Sequence, residues 1–490
     1  MLFNSLDFFI FFPIVTVGYF LIPARWRWIW LLVASCIFYM AFIPVYILVL
    51  AATIIVDYIA GIQIDKATGR KRKLWLIFSV GSTCLILFIF KYFNFFNSNL
   101  ERVAAFFHLN YSVSAINLIL PIGLSFHTFQ SLSYVMEVYY GRYKSEKHFG
   151  IYALYVMFYP QLVAGPIERP QHLLPQFRKI FDFDYRRVAD GLKLMVWGMF
   201  KKVVIADRLA LLVNTVYNKP FGYDGPVLVL ATIFFAFQIY CDFSGYSDIA
   251  IGSAQVMGFK LVDNFNRPYF SKSIGEFWRR WNISLSTWFR DYVYIPLGGN
   301  RVSKALWSRN IMVTFLASGL WHGANWTYIV WGGLNGLYLL CEEFIYEVKK
   351  KLFKRAEHKK HTLLSQLPQV IITFLLVCFA WIFFRAATMA DALYIVKHMF
   401  KGWGNIFSIE GLHIMTSAPH SLGLDKREFV VAIVAIGIME FVHFMQRHGQ
   451  IRHMLAKQNF FIRWAVYFIL VNSIFIFGAT GERQFIYFQF

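Results

Sequence analysis

The chain has 490 residues, of which 58% are hydrophobic, 20% aromatic and only 15% charged, whereas soluble proteins of this size carry about 25% charged residues. That composition excludes an ordinary soluble domain. A formal net charge of +21 raises nucleic acid as a partner, but the placement of the basic residues, described below, argues against it.

The N-terminus, MLFNSLDFFIFFPIV, has no basic leader and no small-residue cleavage site, so it reads as a retained first helix rather than a signal peptide. Crossing a bilayer as a helix takes about 20 apolar residues. Trp28 to Ile59 and Ile311 to Leu340 reach that length outright. Phe11 to Leu21, Leu74 to Phe90, Val227 to Tyr240, Val370 to Phe384, Phe429 to Phe444 and Ala465 to Phe477 are shorter apolar cores. Each can reach spanning length with its flanks, giving about ten or eleven crossings. The expected class is an all-α, polytopic membrane protein forming one membrane domain over residues 1–490, with a core at about 116–345 and C-terminal helices at 365–490. An outer-membrane barrel would instead alternate in short segments.

The basic residues cluster in DKATGRKRK (65–73), GRYKSEKH (141–148) and EVKKKLFKRAEHKKH (347–361), all between apolar runs. This is the positive-inside pattern, and it places those loops in the cytoplasm. Five scattered cysteines form no CxxC pair, which argues against structural zinc and a disulfide framework.

The first long run, Trp28 to Ile59, is too long for one straight crossing, and Pro44 is its expected breaking point. A break there brings ARWR (24–27) and GRKRK (69–73) to the same, cytoplasmic side. Farther on, Phe183 to Leu212 carries Asp184, Arg186, Arg187, Asp190, Lys193, Lys201, Lys202, Asp207 and Arg208 among apolar residues. Such a helix is expected to lie at the membrane interface. Between Asn264 and Arg301, Trp278, Trp281, Leu285 and Trp288 recur at helical spacing beside Arg279, Arg280, Arg290 and Asp291. By itself this reads as an interfacial aromatic belt with basic anchors.

Ile311 to Leu340 contains no Asp, Glu, Lys or Arg and as one helix would run roughly 45 Å against a hydrocarbon core of about 30 Å. The glycines at 319 and 323 predict a break, with His322 beside it. Irregular backbone at membrane depth survives only where protein or a water-filled cavity surrounds it. His322 in SGLWHGANW therefore becomes a functional candidate. Ionisable groups in apolar sequence are functional candidates by default; Asp242 and Asp248 in QIYCDFSGYSDIAIG (238–252) qualify, with Asn282 in FWRRWNISLSTWFRD (277–291) as a possible partner for the imidazole.

Seven segments in order then carry a resemblance: MLFNSLDFFIFF, SFHTFQSLSYVMEVYYG (125–141), YPQLVAGPIERP (159–170), YCDFSGYSDIAIG, EFWRRWNISLSTWFRDYVYIPLGGNR, SGLWHGANWTYIVWGGLNG and FAWIFFRA (379–386). Together they are similar to the membrane-bound O-acyltransferase family, most closely its bacterial alginate and polysaccharide O-acetyltransferase branch. The resemblance implies re-entrant and interfacial helices around a central tunnel, through which acyl groups from a cytoplasmic thioester such as acetyl-CoA reach the outer side of the inner membrane. It identifies His322 with the family's characteristic histidine, which activates the acceptor. Many bacterial members have a second histidine where this chain has Asn282, so Asn282 is assigned an orienting or oxyanion-binding role.

Around these, Trp321 and Trp326 either wall the cavity or simply pack. Asp242 and Asp248 either line the tunnel or tie helices together. Arg290 and Asp291 read as a structural charge pair, His127 as a packed polar residue with a possible further role, and Glu168 with Arg169 as part of a constrained loop. No metal and no permanently bound cofactor are expected. The chain has no GxSxG motif, so the resemblance implies a separate extracytoplasmic serine-hydrolase-type acetyltransferase as partner, with an exported polysaccharide as final acceptor. D-alanyl transfer to teichoic acid, and transport without chemistry, are the competing readings.

Overall fold

The computed structural model describes residues 1–163, 165–352, 363–404, 422–479 and 485–486, and these are helical or irregular, with no strand among them. Much of the basic loop 347–361, including His358 and His361, lies outside the described residues. Six helices among those described are long and apolar enough to cross a membrane: Pro44–Lys66, Gly69–Phe106, Gly225–Met257, Gln366–Arg385, Lys426–His448 and Phe460–Phe477. The sequence suggests ten or eleven crossings. The difference lies in helices such as Leu6–Leu21, which is apolar but short, and Trp326–Leu352, where Trp, Tyr, Gly and Asn dilute the aliphatic residues.

The chain separates into two compact units, one formed by Met1–Met195 with Ser247–Val262 and the other by Val196–Tyr246 with Asp263–Ile486. In the first unit, the break expected at Pro44 is present. Arg27–Met40 ends, a single 3-10 turn runs Pro44–Tyr46, and Ile47–Lys66 follows. Proline suits a first turn because it has no N–H to leave unpaired. The basic segments on either side of this pair meet at one end. The Trp28 ring stands 4.7 Å from that of His148, Lys147 pairs with Asp65 at 3.5 Å, and Arg72 donates to the Val138 carbonyl at 2.9 Å.

A carboxylate inside an apolar helix needs partners, and Asp57 has them on two other helices. Ser79 donates to it at 2.6 Å, Thr83 at 3.2 Å, and Ser131 donates to its second oxygen while also meeting the Tyr152 hydroxyl at 3.0 Å. Three helices are thereby tied at one point. The AGPIERP loop is constrained as expected. The Glu168 N–H donates to Gln130 at 2.8 Å, its carbonyl accepts from the Tyr155 hydroxyl at 2.8 Å, and its carboxylate accepts the Val262 N–H at 2.6 Å. The other carboxylate oxygen is 2.6 Å from His172 Nδ1, and that hydrogen bond raises the imidazole pKa above its usual value.

The second unit is built on a helical hairpin, Lys304–His322 and Trp326–Leu352. A Cβ on Gly319 would lie 2.3 Å from the Tyr328 carbonyl oxygen, and one on Gly332 2.3 Å from that of Phe315. Only glycine permits this backbone approach. The stretch from Phe183 to Leu212 does not lie wholly at an interface. Its start, from Phe183 to Arg186, is exposed, but Lys201, Lys202, Asp207 and Arg208 are buried. The buried half has polar partners within the unit: Lys202 Nζ sits 2.9 Å from Asp207 and 2.7 Å from Asp242, and Lys201 donates to the Ser244 hydroxyl at 2.8 Å.

Candidate functional site

His322 is the last residue of its helix, and the chain is extended at Gly323 before the next helix begins at Trp326. The expected interruption therefore falls at 323–325. Gly319 lies inside the helix, where it serves the close approach to Gly332. The side chain of His322 is 5% exposed and boxed by rings. The centroids of Trp321, Trp331 and Phe384 lie 4.8, 4.9 and 5.2 Å from the imidazole, and Trp331 meets it edge-on at 87°. Trp326 is 49% exposed, so the ring opposing His322 comes from Trp331, one turn farther along. The break is fastened by Asn325, whose amide donates to the Ala387 carbonyl at 2.9 Å while its own oxygen accepts the Thr327 N–H at 3.1 Å. Beside Ala387, Arg385 donates to Asn214 at 2.6 Å and lies over the Tyr217 ring. The end of the Leu363–Arg385 helix thus holds both a wall of the imidazole box and the broken segment.

Asn282 is placed by an unusual local arrangement. The Trp278/Trp281/Leu285/Trp288 spacing is not one continuous helix; Ile274–Arg280 ends and Ile283–Phe289 begins after a bend at 281–282. Trp281, Leu285 and Trp288 are buried in the protein instead of forming an interfacial belt, since the two short helices that carry them are set apart by the bend at 281–282. Asn282 occupies the N-cap position with φ 41° and ψ 57°, a left-handed conformation that asparagine tolerates better than most residues. Its side chain does not cap. Asn264 does that instead, its carbonyl accepting the Ile283 N–H at 2.9 Å and its side-chain oxygen the Ser284 N–H at 3.0 Å. The Asn282 amide is therefore released from structural duty. Both its nitrogen and oxygen are buried without a hydrogen-bond partner among the described residues, a state that costs about 1–3 kcal/mol per group.

A row of large rings joins the two positions. Trp281, adjacent to Asn282, stands 5.2 Å from Trp381; Trp381 stacks on Trp331 at 5.8 Å and 17°; Trp331 meets His322. Chemically, this is an imidazole and an amide buried among aromatic rings, suited to moving a proton and holding a developing oxyanion.

The remaining sequence candidates fall elsewhere. Asp242 is buried, bonded to Lys202 and to the Ile486 N–H at 2.7 Å. Arg290 and Asp291 pair at 2.8 Å, with Arg290 exposed. Asp248 and His127 belong to the other unit. Asp248 is half-buried; His127 is 1% exposed, and neither ring nitrogen has a hydrogen-bond partner among the described residues. No group of three His, Cys, Asp or Glu able to hold a metal occurs among the described residues.

A model of the membrane-bound O-acyltransferase family matches residues 148–388, which include both Asn282 and His322. The probable alginate O-acetylase AlgI of Pseudomonas aeruginosa is 40% identical over 405 residues, covering 82% of this chain and 75% of its own. The chain belongs to the membrane-bound O-acyltransferase family. Other members are similar over different lengths. The peptidoglycan O-acetyltransferase of Helicobacter pylori is 31% identical across 100% of this chain and 98% of its own. The teichoic acid D-alanyltransferase of Bacillus subtilis is 29% identical over 55% of this chain and 69% of its own. As a family member with six apolar helices of spanning length among those described, this is a multi-pass membrane protein. Trp331, Trp381 and Asn325 were not singled out from the sequence. Trp331 lies in TYIVWGGLNG and Trp381 in FAWIFFRA, and aromatic content alone did not separate them from packing residues.

Proposed function

We propose that this protein is a membrane O-acyltransferase that moves acetyl groups from a cytoplasmic thioester, acetyl-CoA, across the bacterial inner membrane for O-acetylation of an exported polysaccharide such as alginate. The observation that carries this is the imidazole of His322, held in an aromatic box at an interrupted span. Matches to acetylases cover 82% or more of this chain, while the D-alanyltransferase match covers 55%, which favours acetyl over D-alanyl. Membership of an acyltransferase family likewise speaks against transport without chemistry.

In the proposed step, His322 takes the proton of an acceptor hydroxyl, whose oxygen forms a bond to the thioester carbonyl carbon. The Asn282 amide donates to the resulting oxyanion. Collapse of that intermediate breaks the C–S bond, and the proton passes from the imidazole to the leaving thiolate. Tryptophan and phenylalanine walls exclude the water that would hydrolyse the thioester. A separate extracytoplasmic acetyltransferase of the serine-hydrolase type completes delivery to the polymer, since GxSxG is absent from this sequence. Purified protein incubated with radiolabelled acetyl-CoA and an acceptor alcohol should release CoA in proportion to enzyme. No turnover above the protein-free rate would refute the assignment.

A further inference from the structure

At the end of the first unit where its basic segments meet, a cleft opens between the start of the Arg27–Met40 helix and the chain at 177–180. Its walls include Tyr19, Arg27, Trp28, Phe177, Lys179 and Ile180, with two cations and no carboxylate. Arg27 is built in. Its Nη1 donates to the Phe181 carbonyl at 2.8 Å, its Nε donates to that of Ile22 at 3.2 Å, and the guanidinium lies 4.9 Å over the Tyr19 ring. Carbonyl oxygens and a ring fix its position, and it forms no ion pair with a carboxylate among the described residues. Lys179 is exposed. Asp184, which is not among the cleft-lining residues, caps the following helix by accepting the Arg187 N–H at 2.7 Å.

The positive-inside rule puts this end in the cytoplasm. The cleft also borders hydrocarbon-seeking surface. Leu21, Ile180, Phe183 and Tyr185 are all exposed large apolar or aromatic groups, and Phe183 rests edge-on against Phe20 at 5.6 Å. Apolar side chains beside a cationic notch with Trp and Tyr walls suit a ligand that is phosphate at one end and hydrocarbon at the other.

We propose that this cleft binds the phosphate headgroup of an anionic phospholipid of the cytoplasmic leaflet. Arg27 and Lys179 hold the phosphate, and Ile180 and Phe183 lie along the first acyl carbons. A phosphate could also arrive on the nucleotide of a CoA thioester, but that ligand carries no long hydrocarbon chain beside its phosphates to meet the exposed Ile180 and Phe183.

Native mass spectrometry of the full-length protein, titrated separately with phosphatidylglycerol, phosphatidylcholine and free CoA, tests this. Wild type should retain phosphatidylglycerol in preference to phosphatidylcholine. Lys179→Gln should weaken that retention about fivefold, the effect of one basic residue at an anionic membrane surface. Lys71→Gln, at the same end but outside the cleft, should leave it unchanged, and matched thermal midpoints confirm that both variants fold. Equal retention of the two lipids, or equal losses in the two variants, would overturn the site. So would loss of CoA binding in Lys179→Gln with phosphatidylglycerol retention intact, because the notch would then belong to the thioester donor. None of these outcomes depends on acyl transfer, so the site and the catalytic proposal stand or fall separately.

Discussion

Asn282 combines two costs that folding alone does not require. Left-handed backbone at a non-glycine residue stores on the order of 1 kcal/mol, and a buried amide with no partner among the described residues adds more. Strain of both kinds concentrates where a side chain is kept available for substrate. Replacement by glycine should therefore raise thermal stability by up to about 1 kcal/mol while lowering the transfer rate roughly 100-fold or more, the usual loss when an oxyanion donor is removed. Thermal unfolding in detergent and labelled-acetyl transfer measure the two effects on one sample. A glycine variant with full activity would strip Asn282 of its role. At this scale the sequence was partly legible. His322 stood out because no Asp, Glu, Lys or Arg shares its apolar run, but its ring neighbours could not be chosen from the chain's 96 aromatic residues without the hairpin geometry that selects Trp331.

Elements here are positioned by a few close approaches and buried bonds. The Gly319–Gly332 crossing leaves no room for a Cβ, so Gly332→Val should destabilise the protein by about 1–3 kcal/mol through overpacking, visible as a lower thermal midpoint. A variant as stable as wild type would mean the hairpin is looser than described. Asp57 gives a second test. Asp57→Leu strands the hydroxyls of Ser79, Thr83 and Ser131 and should cost about 3 kcal/mol or more, whereas Asp57→Asn, which still accepts hydrogen bonds, should cost about 1. Equal losses for the two would show that the carboxylate's bonds do not tie the three helices. Breaks were legible from helix length and from Pro44. The fate of the tryptophans at 281 and 288 was not, because helical spacing cannot reveal a helix break at a single left-handed residue.

Across the whole molecule, membrane character and family were legible in apolar runs and ordered motifs. The burial of Lys202 was not, since its compensation by Asp242 joins residues forty positions apart in different elements. The positive-inside assignment is directly checkable. With a cysteine introduced at Lys71 in a cysteine-free background, a membrane-impermeant thiol reagent should label intact cells only after permeabilisation; labelling before permeabilisation would invert the topology. The central claim is that the His322 imidazole performs the acyl transfer. Cells expressing His322→Ala, matched to wild type for inserted protein, should incorporate no labelled acetyl into exported polymer above the level of cells lacking the protein. Incorporation at the wild-type rate would contradict the account.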